Sequence, residues 1–262
     1  MSLLAAALGC ATPAPPAPPP PTREERAATA VAAALSAIDE RTRAPDTLFR
    51  LDVPIALAGL RDLRPGDAGI EALLARAVTV LDTGGDPRRR AWDPAASWPA
   101  DQDYTWTPVP GKVVSPNLAL VEVLYCTQHP LRPETVEWVC ATLRDGGGRQ
   151  SGHAAWYLDL AVDQGCVARE RTCLDALRDE LLAAGARPTD LASTDARDLL
   201  AEQVLFGARA GASHAALAPA VDALLAVQGA DGSFGAPGDT TFPALHATLA
   251  AAWGLETWRA TP

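Results

Sequence analysis

The chain has 262 residues, enough for one large domain or two ordinary ones, and 48% of them are hydrophobic, ample for a core. Formal net charge is -10, and of the 22 basic residues only Lys112 is a lysine. No basic stripe is present for nucleic acid, so no nucleic-acid partner is expected, and no apolar run is long enough to span a bilayer.

Residues 1 to 22 read as a leader and tether outside the folded domain. The apolar run Ser2 to Gly9 ends at Cys10, and Ala11 to Pro21 is mostly Pro and Ala, which favours an extended polyproline spacer. This order of apolar segment, small residue, Cys and spacer resembles a bacterial lipoprotein signal. The resemblance implies acylation of Cys10, membrane attachment through that lipid, and a place in the cell envelope, in the periplasm or at the cell surface.

Residues 23 to 262 read as one all-α domain. The apolar content is mostly Ala and Leu, and period-two patterns are scarce. Helical pattern and breaker alternate, with helices expected at 23–42, 46–63, 67–82, 115–128, 133–145, 151–164, 167–184, 193–210, 213–228 and 240–257. These form five pairs. The second members are the more apolar and are expected to be buried all round, whereas first members such as Arg169 to Glu180 are charged on one face. Ser115, Ser151, Ser193 and Thr240 stand where they can cap four of the second members. Short connections follow the inner helices. Longer ones, at 83–114, 146–150, 185–192 and 229–239, all precede inner helices, which gathers the long loops on one face.

The motif that organises the domain is Gln228-Gly229-Ala230-Asp231-Gly232-Ser233-Phe234-Gly235, followed by Thr240-Thr241-Phe242. Its glycines, Asp231 and Pro237-Gly238 make a loop that presents one aromatic ring between two helices. It resembles the Q-x-x-D-G-S-[FW]-G repeat of the terpenoid cyclase and protein prenyltransferase superfamily. The resemblance implies an α/α toroid of about five helical hairpins, with inner and outer helices alternating.

Candidate ligand-binding residues follow from the long-loop face, toward which the inner helices point their N-termini. Asn117, His153 and Asp195 share the third place counted from their hydroxyls, and His246 lies further into the last helix. Each can equally be a cap or a hydrogen-bonded core residue. Trp92, Trp98 and Trp106, in the loop from Thr83 to Val114, could cover an apolar ligand or stack on sugars, or could pack that loop onto the ring. Asp52, Glu122, Asp159, Asp198 and Glu202 lie on inner helices, with nothing in the sequence to pair them. Arg88-Arg89-Arg90 reads as a solvated loop.

His246 to Leu255 is similar to the prenyltransferase helix in which a His binds zinc, but the other expected ligands are missing. Asp163-Gln164-Gly165-Cys166 is one residue too long for D-x-C, and no D-x-D-D or D-D-x-x-D occurs. No metal and no cofactor are therefore expected. Three readings stay open: a tethered toroid that binds a small molecule, glycan or protein at its long-loop face; an enzyme of the same fold acting on a carbohydrate or isoprenoid-like substrate; and an interaction module with a filled ring. In an exported protein, Cys126, Cys140, Cys166 and Cys173 suggest two disulfides, expected as the local pairs Cys126–Cys140 and Cys166–Cys173.

Overall fold

In the computed structural model, residues 19–43, 52–81, 86–97, 116–143, 149–185 and 190–261 are described. Among them every regular element is helical: α1 (Arg23–Arg41), α2 (Asp52–Leu63), α3 (Ala68–Leu81), α4 (Pro116–Leu124), α5 (Pro133–Trp138), α6 (Arg149–Asp163), α7 (Leu174–Gly185), α8 (Thr194–Arg209), α9 (His214–Ala226) and α10 (Phe242–Ala260). A 3-10 turn occupies Pro87–Ala91, and a short π-helix, Val139–Leu143, continues α5. Cys10, Trp98 and Trp106, the side chain of Asn117, and the capping position Ser115 lie outside the described residues.

Local chemistry sets several helix ends. Thr22 and Glu25 form a reciprocal capping box at the start of α1, each side chain bonding the other's backbone N–H. Ser193 caps α8 as expected, accepting from the Ala196 N–H. Ser151 does not cap α6, because that helix starts at Arg149 and Ser151 is buried within it. At α10 the N-cap is Thr241, with Pro243 in the first turn, and the Thr241 hydroxyl donates to Asp239 rather than serving the helix.

The even-numbered helices pack in the file α4, α6, α8, α10, α2, and the odd-numbered ones cover them. Helix α3 lies on α2, α7 on α6 and α8, α9 on α8 and α10, and α1 on α10. Burial follows the same division. Nearly every residue from Ala244 to Trp258 of α10 is buried, as is nearly all of Leu200 to Ala208 on α8. Gly254 lets the two helices approach, since a Cβ there would stand 3.1 Å from the backbone of α8 at Ala201 and Leu205. The segment 86–97 spans between α4 and α2: Arg90 donates to the Leu124 carbonyl and Arg61 to the Trp92 carbonyl. The Arg88–Arg90 run is thus no simple solvated loop, because Arg90 also donates to the carbonyls of Pro94 and Ala96.

The 229–239 loop is held as a plug. Gln228 donates to the carbonyls of Ala30 and Gly232, Phe234 is fully buried, and Thr248 of α10 accepts from the Phe234 N–H. Gly232 has φ +83° and its missing Cβ would lie 2.4 Å from the Ala33 carbonyl oxygen, so no larger residue fits that backbone.

Both disulfides form, but between other partners than expected. Cys126 joins Cys166 with Cα atoms 5.9 Å apart, and Cys140 joins Cys173 at 5.8 Å. Cys126 and Cys166 each lie just past the end of an even-numbered helix, α4 and α6, which pack against each other. Cys140 lies in the π-helix after α5, and Cys173 immediately precedes α7. The bridges therefore tie the α4–α5 segment to the α6–α7 segment.

Candidate functional site

Side chains from all five even-numbered helices line one cavity. Asp52, Ile55 and Ala56 come from α2, Leu120 from α4, His153, Trp156 and Tyr157 from α6, Glu202, Leu205 and Phe206 from α8, and His246, Leu249, Ala250 and Trp253 from α10. Arg88 reaches in from the 3-10 turn, held by two hydrogen bonds to Asp86. The polar members lie toward the helix N-termini. Trp156 and Trp253, edge to face with ring centres 5.9 Å apart, border both this cavity and a second one beyond them. The upper cavity is small, with ≈ 70 Å³ open to the centres of water-sized molecules, against ≈ 390 Å³ in the lower one.

The polar centre is on α8 and α10. His246 Nδ1 lies 2.7 Å from Asp198 Oδ1, and Asp198 is 2% exposed. Glu202, one helical turn beyond Asp198 and also buried, completes a group in which one ligand atom from each of the three residues lies within 4.8 Å of the others. Burial disfavours the imidazolium, but its hydrogen bond to Asp198 and the charges of Asp198, Glu202 and Asp52 outweigh it, so the His246 pKa is raised above the ordinary histidine value. Burial, with the charges of Asp52 and Glu202, pushes the Tyr157 phenol well above its usual range and keeps it protonated.

This arrangement can orient an imidazole, favour its charged form, and offer carboxylates and a phenolic donor to a small polar molecule. One nitrogen and two carboxylate ligands, two of them at i and i+4 on one helix, also fit a single divalent ion such as zinc. The sequence offers Asp198 and Glu202 as carboxylates four residues apart on one helix, and the fold brings His246 against them.

Of the expected site residues, His246 and His153 line the cavity, His153 against the rings of Tyr157 and Phe206. Asp195 does not: it is exposed in the first turn of α8, while the residues one and two turns on carry the polar centre. Trp92 does not either, being 5% exposed and packed into the core beneath its loop. The aromatic walls come instead from Trp156, Tyr157, Phe206 and Trp253. Two of the carboxylates on the even-numbered helices are tied elsewhere. Glu122 accepts from Arg132 and Thr135, and Asp159 is buried beside Arg209 at 2.6 Å. Burial pushes the Asp159 carboxyl up to about 6 despite Arg209.

No protein-family model matches the sequence, and no curated protein or solved structure is significantly similar to it.

Proposed function

We propose that the five even-numbered helices are the inner ring of an α/α toroid, and that the protein is an exported, lipid-anchored binder of a small polar ligand at its long-loop face. The observation that carries this reading is a cavity lined from all five helices with the hydrogen-bonded His246–Asp198 pair at its wall. Its size suits a compact polar molecule and leaves little room for an isoprenoid chain. Two disulfides suit an oxidising compartment, and the Pro-rich spacer after Cys10 suits a tether. A thermal-shift screen of monosaccharides, amino acids and small amines tests it. The reading expects at least one class to stabilise the wild-type protein and to lose that effect in His246→Ala; no response from any class counts against it.

An enzyme of the same fold is the second reading, favoured by Asp52 and Glu202 lining the cavity that holds the His246–Asp198 pair. Such groups could move protons between a base and an acid, with or without a bound metal. Metal content by mass spectrometry and turnover of any stabilising ligand distinguish the two.

A further inference from the structure

The aromatic rings that line the upper cavity form one cluster around Trp156. Its ring centre lies 5.5 Å from that of Tyr157, 6.1 Å from Phe206 and 5.9 Å from Trp253, and the planes are inclined to it by 45°, 21° and 89° respectively. Walls set at such different angles suit a rounded guest. Arg209 stands over the Trp253 ring, 6.0 Å from its centre, and lines the lower cavity and not the upper one. The opposite face of Trp253, which also borders the upper cavity, is therefore not taken by that guanidinium.

Among the described residues the same cavity carries more carboxylates than cations. Asp52 and Glu202 stand in its wall and Asp198 is bonded to His246, whereas the cations are His246 and Arg88, and Arg88 is itself bonded to Asp86. Glu202 is 2% exposed, so its charge is poorly screened by water. Burial raises the Tyr157 phenol and opposes the His246 imidazolium, while the charges of Asp52 and Glu202 raise both groups. Their negative potential thus reaches two walls.

We infer that the ligand of the upper cavity is a free, small methylated ammonium ion, with the Trp156 ring cluster against its methyl groups and the carboxylates of Asp52 and Glu202 balancing its charge. The inference rests on the reading of this cavity as the ligand site and names the chemistry that enters it. An anion would meet the carboxylates, and a sugar would meet more ring and alkyl wall than hydrogen-bond partners. A methylated ammonium has no N–H to satisfy, and its charge is drawn to aromatic rings by their quadrupole. The ≈ 70 Å³ open to the centres of water-sized molecules admits a compact head of this kind.

Choline is the probe, titrated calorimetrically into the full-length protein. Beside it stand its uncharged isostere, in which a quaternary carbon replaces the nitrogen, ethanolamine, which keeps the charge without the methyl groups, and phosphocholine, which represents a lipid headgroup. Choline should bind saturably, and the isostere and ethanolamine at least about tenfold more weakly. Phosphocholine should also be weaker, because its phosphate meets the same carboxylates. Trp156→Leu should weaken choline binding by about three- to thirtyfold. Glu202→Gln should weaken it by about tenfold, and serves if Trp156→Leu does not fold. Equal affinity for the isostere, ethanolamine or phosphocholine, or unchanged choline binding in either folded variant, would overturn the assignment. If a sugar binds in this cavity and choline does not, the cavity remains a ligand site and the assignment of its ligand fails; if nothing binds, both fail.

Discussion

Nδ1 of His246 and Oδ1 of Asp198 meet at 2.7 Å across the interface of the two most deeply buried helices of the molecule. The contact fixes which nitrogen of the imidazole faces the protein and leaves the other edge of the ring toward the cavity. Its energetic sign is testable. The folded-state His246 pKa is raised, so the pair's contribution is fully present below the unfolded value, about 6.5, and is lost as pH rises through the folded value. In an NMR titration the His246 ring should titrate above the ordinary histidine value. In Asp198→Asn it should fall below its wild-type value, because burial then acts with less opposition. An unchanged midpoint in Asp198→Asn would remove Asp198 from this role.

At acid pH the controlling group is different. Burial raises the Glu122 pKa, but hydrogen bonds from Arg132 and Thr135 more than offset it and the net shift is downward. That stabilisation is present above about 4.5 and is lost as pH falls through the folded value. Glu122→Gln should be less stable than wild type near neutrality and converge with it in acid. Denaturant midpoints measured across that range check this, and a constant difference would contradict it.

Phe234→Ala should cost about 3–5 kcal/mol, since it empties the fully buried plug between α1 and α10. Gln228→Ala should cost about 1–2 kcal/mol by removing the donor that ties the Ala30 and Gly232 carbonyls together. Gly232→Ala should be disruptive despite its small size, because the obstacle is the Ala33 backbone and φ is positive. Urea unfolding of the three variants gives the ranking. A benign Gly232→Ala would mean that the loop does not dock on α1 in this way.

Non-reducing peptide mapping should recover Cys126 linked to Cys166 and Cys140 linked to Cys173, each bridge closing a loop of 40 or 33 residues. By loop-closure entropy each stabilises the fold by roughly 3–4 kcal/mol. Local pairs, or four free thiols from an oxidising host, would contradict the pairing.

The comparison of these bridges with the expected local pairs marks where the sequence stops being legible. Ten helices could be read from apolar period and breakers, and the segregation of apolar even-numbered helices from charged odd-numbered ones could be read from composition. Both are local properties. Which cysteines meet depends on the lateral order of neighbouring hairpins, and Cys126 and Cys166 are brought together by the parallel run of α4 and α6. The same limit applied to the site. His246 and His153 could be singled out as rare polar residues in apolar helices, whereas Asp198 and Glu202 looked like any i,i+4 carboxylates until α10 brought His246 against them. Of the two roles open to Trp92 the structure shows packing into the core, a choice the sequence could not make because an aromatic residue in a long loop has the same local signature in either case.

The central claim is that the cavity among the five inner helices holds a small ligand at the His246–Asp198 pair. Native mass spectrometry of full-length protein recovered from its producing cells tests it most directly, alongside Ala250→Trp, which fills the upper cavity from α10, and His246→Gln. The account predicts a small-molecule adduct on the wild type, absent from Ala250→Trp and reduced in His246→Gln. A wild type without any adduct, or the same adduct on all three proteins, would contradict it.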